Sequence, residues 1–126
     1  MKTLAALAIL MFTLAPAQKA PDVTGKWTGG MTRTGPAGQT QTIDWQFNLT
    51  QKGKVLTGTT GPTEARQWTI EKGAVDGTKV SLGVQQPDGP YRTFTLVLVK
   101  DHLQGKMVAE LNGQSFETVV DVERAK

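Results

Sequence analysis

From Thr42 to Thr50 every second residue is apolar: Ile43, Trp45, Phe47 and Leu49 alternate with Asp44, Gln46 and Asn48. Successive side chains of a β-strand point to opposite faces, so this period of two predicts a half-buried strand. The same alternation runs through Lys79–Gln85, Thr93–Leu98 and Ser115–Glu123. Shorter examples surround Trp27, Val55, Trp68–Ile70 and Leu103–Met107. The pattern predicts about eight strands. No segment carries a helical period of useful length; Thr63–Arg66 could form a single turn.

Turn-forming residues separate these runs at Gln51–Lys54, Val75–Thr78, Pro87–Pro90 and Lys100–His102. The strongest signal is Leu111-Asn112-Gly113-Gln114, because Asn-Gly accepts the positive φ of a type I′ hairpin. Connections this short join antiparallel neighbours, since a parallel crossover takes about a dozen residues or more. About eight antiparallel strands with one apolar face predict an all-β, up-and-down barrel, whose closure removes exposed edges. A β-sandwich is the alternative. Gly29, Gly58, Gly83 and Gly105 interrupt the strands, as glycines do at bulges and barrel bends.

The first 17 residues read differently. Lys2 gives a positive start, Leu4–Leu14 is apolar apart from Thr13, and Ala15-Pro16-Ala17 ends in small residues. This is the layout of a cleavable export signal. The apolar run is shorter than the ~20 residues a spanning helix needs. Cleavage after Ala17 would leave residues 18–126 as one soluble domain with no stable membrane insertion. The chain has no cysteine, so that domain is held by its core alone. A disulfide-free exported domain of this size fits a bacterial periplasm or exterior. Its 14 Lys+Arg against 11 Asp+Glu give +3, and loss of Lys2 lowers this to +2. So mild an excess, spread along the chain, argues against nucleic acid; Lys52 and Lys54 form only a solvated turn.

Gly25-Lys26-Trp27 at the start of an eight-strand meander resembles the Gly-x-Trp opening motif of the calycin group: lipocalins, fatty-acid-binding proteins and avidins. In lipocalins that Trp packs at the closed end of the barrel beneath an Arg from the last strand. Arg124 shares the parity of Phe116, Val120 and Val122 and could lie on Trp27 in that way. The resemblance implies a lipocalin-like barrel over the whole mature chain, with Gly25, Trp27 and Arg124 closing one end. The chain is shorter than a usual lipocalin. It also lacks the flanking helix, the disulfide and the Thr-Asp-Tyr motif, so its function rests on the site rather than on the fold.

The inward parity collects Trp27, Ile43, Trp45, Phe47, Leu49, Trp68, Ile70, Val80, Leu82 and Val84 from the first five strands. From the last three it collects Phe94, Leu96, Leu98, Leu103, Met107, Phe116, Val120 and Val122. Eight strands enclose space that side chains can fill or that one small ligand can occupy, and both outcomes stay open. If a cavity exists, its apolar lining suits a small hydrophobic molecule held among Trp45, Phe47, Trp68, Phe94, Leu96, Met107 and Phe116. A filled barrel or sandwich would serve instead as an interaction module for a protein or polysaccharide.

Catalytic readings find little support. His102, the single histidine, falls in a turn, and Ser81 and Ser115 have outward parity, so no Ser-His-Asp set assembles. A turn is also a poor place for a haem ligand. Asp76, Asp88 and Asp101 adjoin turns and bond their own backbone there, which accounts for them without a metal. The sequon Asn48-Leu49-Thr50 lies in mid-strand and is read as chance. Thr34–Gly38, between the first two strands, is the candidate gate of the barrel mouth. The chain is thus expected to be a secreted or periplasmic, non-enzymatic, monomeric binding protein with neither metal nor cofactor.

Overall fold

The computed structural model describes residues 22–34 and 37–125. The export signal and its cleavage joint lie outside the described residues, as does part of the Thr34–Gly38 loop. The alternating segments form β1 (Gly25–Thr34), β2 (Thr40–Lys52), β3 (Val55–Gly61), β4 (Trp68–Asp76), β5 (Lys79–Gln85), β6 (Tyr91–Val99), β7 (His102–Leu111) and β8 (Gln114–Arg124). The described residues contain no helix.

Each strand pairs antiparallel with the next, and β1 also pairs with β8, from Trp27↔Arg124 to Thr32↔Val119. That last ladder closes the barrel and decides against the sandwich. Local chemistry sets the turns. In the β7–β8 hairpin Leu111 pairs with Gln114, leaving Asn112 at φ 54° and Gly113 at φ 79° as the two-residue link. Both values are positive, as a type I′ turn requires.

Alternation then sorts the side chains. Trp27, Trp45, Phe47, Phe94, Leu96, Val120 and Val122 are all buried at 1 % exposure or less. Each such burial contributes about 1.5–3 kcal/mol. The aromatic centre is tightly built: Phe47 meets Phe94 edge-on at 5.2 Å between centroids, and Trp45 lies 5.9 Å from Phe94. Val23, Met31, Leu56, Val75 and Ala109 complete the core.

Two inward-parity residues differ from the expected core: Ile43 and Phe116 are each 43 % exposed. Strand length is the cause. β1, β2, β7 and β8 have 10, 13, 10 and 11 residues, whereas β3 and β5 have 7. The long strands rise past the packed interior at one end, so their last inward side chains face an opening instead of a partner.

Candidate functional site

The two ends of the barrel are chemically different. At the closed end the segment before β1 folds under the barrel. Val23 is buried, its amide donates to Gln51 Oε1 at 2.9 Å, and its carbonyl accepts from Trp27 Nε1 at 2.9 Å. Arg124 lies over the face of Trp27, with its guanidinium carbon 4.5 Å from the ring centroid. Its Nη1 and Nη2 donate to the carbonyls of Thr24 and Asp22, each at 3.0 Å. Asp101 Oδ1 accepts from Nε at 3.4 Å. A planar cation with five donors serves here as both lid and clamp, tying the first and last described segments together.

The opposite end carries a half-open pocket of about 260 Å³. Its apolar wall includes Met31, Ile43, Met107, Leu111 and Phe116; its polar groups are Arg33, Gln41, Arg92 and Thr118. At the deep end Met31 and Met107 are 1 % and 4 % exposed. Below them the rings of Trp45, Phe47 and Phe94 pack closely, and Arg92 adjoins them, its guanidinium carbon 5.2 Å from the centroid of Trp45. Arg92 Nη1 donates to Gln86 Oε1, while its Nε is buried without a hydrogen-bond partner among the described residues. Burial pushes the Arg92 guanidinium down from its ordinary pKa, because a desolvated cation is less favourable than a hydrated one.

The residues singled out from sequence divide between these regions. Met107 and Phe116 line the pocket. Trp45, Phe47, Phe94 and Leu96 form the packed floor below it. Trp68 packs against that floor from β4, 6.3 Å from Trp45, and Arg66 lies 5.6 Å over its ring. Gly25, Trp27 and Arg124 sit together at the closed end. Reading the strands for apolar residues alone passed over Arg33, Gln41, Arg92 and Thr118, and the short pattern around Trp27 was not carried on to Met31. Alternation contains them all, since Arg92 shares the parity of Phe94 and Leu96, and Arg33 that of Trp27 and Met31.

The single histidine lies outside the barrel. His102 Nδ1 is 2.8 Å from Asp121 Oδ1, and Nε2 is 3.5 Å from Glu123 Oε2. Ser115 stands eight residues from Glu123 on β8, at the other end of the same pair of strands, roughly 27 Å away at ~3.4 Å per residue. Among the described residues no three His, Cys, Asp or Glu side chains are grouped to hold a metal ion.

The hydrogen bond to Asp121 outweighs desolvation and, with the charges of Asp121, Glu123 and Asp101, holds the His102 imidazolium above its ordinary pKa. A raised folded-state value stabilises the fold fully below the unfolded value of about 6.5, and that contribution disappears as pH climbs through the folded value. Proton NMR titration of this one imidazole will therefore give a midpoint above about 6.5, and Asp121→Asn will bring it back down. A midpoint unmoved by Asp121→Asn would contradict the pairing.

No protein-family model, curated protein or solved structure matches the chain. Functional inference therefore rests on the barrel and its mouth.

Proposed function

We propose that the protein is a secreted or periplasmic binding protein, without catalytic activity, that takes a small hydrophobic molecule into the mouth of its barrel. The observation that carries this reading is the pocket itself. Seven apolar residues line it, and three of them, Ile43, Leu111 and Phe116, are large hydrophobics left 43 %, 45 % and 43 % exposed. Exposed apolar groups gathered around a concavity mark a binding site rather than scattered surface. Its ~260 Å³ corresponds to about nine water-sized groups at ~30 Å³ each, so the ligand is small. The leader sequence supports export, and the Trp27–Arg124 closure supports the calycin-like reading of the fold.

Titration with 1-naphthylamine, a neutral polarity-sensitive fluorophore of suitable size, tests the proposal. Wild-type protein will bind it with a blue shift. Phe116→Ser, which removes one wall of an already half-exposed position, will weaken binding about tenfold, equivalent to ~1.4 kcal/mol. Val119→Ser, on the outward face of the same strand and 58 % exposed, will leave it unchanged. A second reading, an interaction module for a protein or polysaccharide, draws on the closely packed aromatic core below the pocket. Failure of the wild type to bind the fluorophore would favour that module.

A further inference from the structure

We infer that the ligand of the barrel mouth is an oxyanion-headed amphiphile, a short apolar chain ending in a carboxylate or phosphate that Arg92 and Arg33 recognise. This rests on the mouth being a ligand pocket and adds the polarity and charge of what enters it.

The pocket is one-sided in charge. Two arginines line it and no acid does, although the chain has 11 Asp+Glu and all of them lie within the described residues. The carboxylates that form ion pairs serve Lys26, Lys106, Arg124 and His102; neither pocket arginine is among the cations they meet. A half-buried guanidinium without a counter-charge is unfavourable by itself. An entering anion supplies that charge where the surrounding dielectric is lowest.

The hydrogen-bond inventory points the same way. Arg92 Nη1 is occupied by Gln86, whereas Nε is a buried donor without an acceptor. Trp45, the ring beneath this guanidinium, has a buried Nε1 donor that is likewise unpartnered. The third such atom, Gln46 Oε1, belongs to the outward face of β2. An unpaired donor on a pocket-lining arginine calls for an acceptor, since buried polar groups are nearly always paired. Nη2, which has no hydrogen-bond partner among the described residues, is the donor left to an oxygen of a carboxylate or phosphate. Met31, Ile43, Met107 and Phe116 then receive the chain. Arg33, exposed on the rim, guides the headgroup inward.

Calorimetric titration of the purified protein with octanoate, octyl phosphate and octanol tests this, because the three share one chain and differ in headgroup. At least one anion will bind about tenfold tighter than octanol, the usual scale of a charge-assisted contact. Which anion is tighter names the headgroup. Arg92→Met will abolish the preference, bringing the anion and octanol to equal affinity. Arg92→Lys keeps the charge without the planar guanidinium and will retain only part of it. Equal affinity for all three in the wild type would overturn the oxyanion inference and leave the hydrophobic pocket standing. Binding of none would overturn both. A preference that survives in a folded Arg92→Met would overturn the assignment to Arg92. Should that variant not fold, the wild-type comparison of anions with octanol decides.

Discussion

Trp27→Ala will leave the protein largely unfolded under mild denaturation, and it is the most damaging single substitution expected in the chain. Trp27 is fully buried, pairs with Phe47 and Arg124 across its two neighbouring strands, and donates to the Val23 carbonyl. Deleting a buried Trp costs about 3–5 kcal/mol through lost transfer and the cavity left behind. The Arg124 guanidinium then loses the ring it covers, a further ~0.5–1 kcal/mol or more. Typical domains hold only about 5–15 kcal/mol in total, and with no cysteine this one has no covalent cross-link in reserve. Urea unfolding followed by circular dichroism will show the loss. Trp27→Phe will retain much of the stability, because it keeps an aromatic face under Arg124. A shift below about 1 kcal/mol for Trp27→Ala would mean that this end of the barrel is not closed by the Trp–Arg pair.

Gly58→Ala ranks second, and its cause is backbone rather than burial. Gly58 has φ 139°, a conformation that residues with a Cβ rarely adopt. A Cβ there would collide with the Asn48 carbonyl oxygen and come within 3.2 Å of the Leu49 Cα. Both obstacles are main chain of the paired strand β2, so no side chain can rotate aside. The position also falls where the β3–β4 register shifts between Leu56 and Thr59, the irregularity that lets the sheet bend. Strain of about 1–3 kcal/mol and overpacking of about 1–3 kcal/mol together give ~2–6 kcal/mol. Gly113→Ala at the exposed β7–β8 turn, with open space around its Cβ site, bears only the φ strain and is the milder control. Equal urea midpoints for the two variants would contradict the steric account.

Much of the barrel was legible because β-sheet geometry writes itself into alternation. β2 and β8 follow a period of two with few exceptions, and Asn112-Gly113 dictates its hairpin. The parity of Arg124 with Val120 and Val122 places it beside Trp27. Closure into a barrel was less legible, since the β1–β8 ladder joins residues about a hundred positions apart and leaves no local trace. β3 and β4 were read only in part. Leu56 and Val75 are core residues, but the register shifts in the β3–β4 and β4–β5 ladders and Lys72 at φ 53° break the alternation around them.

The mouth was the hardest part to foresee. Whether an inward residue is buried depends on how far its neighbouring strands extend. Ile43 and Phe116 have core parity and rim exposure for that reason. Arg33 and Arg92 were hidden differently: inward polar residues interrupt an apolar pattern and read as noise. In a barrel they deserve the opposite treatment, because a polar side chain aimed at the interior must find a partner there. Arg124 finds its partners at the closed end, in Trp27, Asp101 and two backbone carbonyls. Arg92 has one at Gln86 and a buried Nε still unclaimed.

Native mass spectrometry of the protein purified gently from its own host tests the central claim most directly, with solvent extraction as the second step. A ligand carried in the barrel mouth predicts a reproducible added mass that leaves with the solvent, and whose occupancy falls in Phe116→Ser but not in Val119→Ser. A bare chain mass in every preparation, with no gain when 1-naphthylamine or octanoate is added, would contradict it.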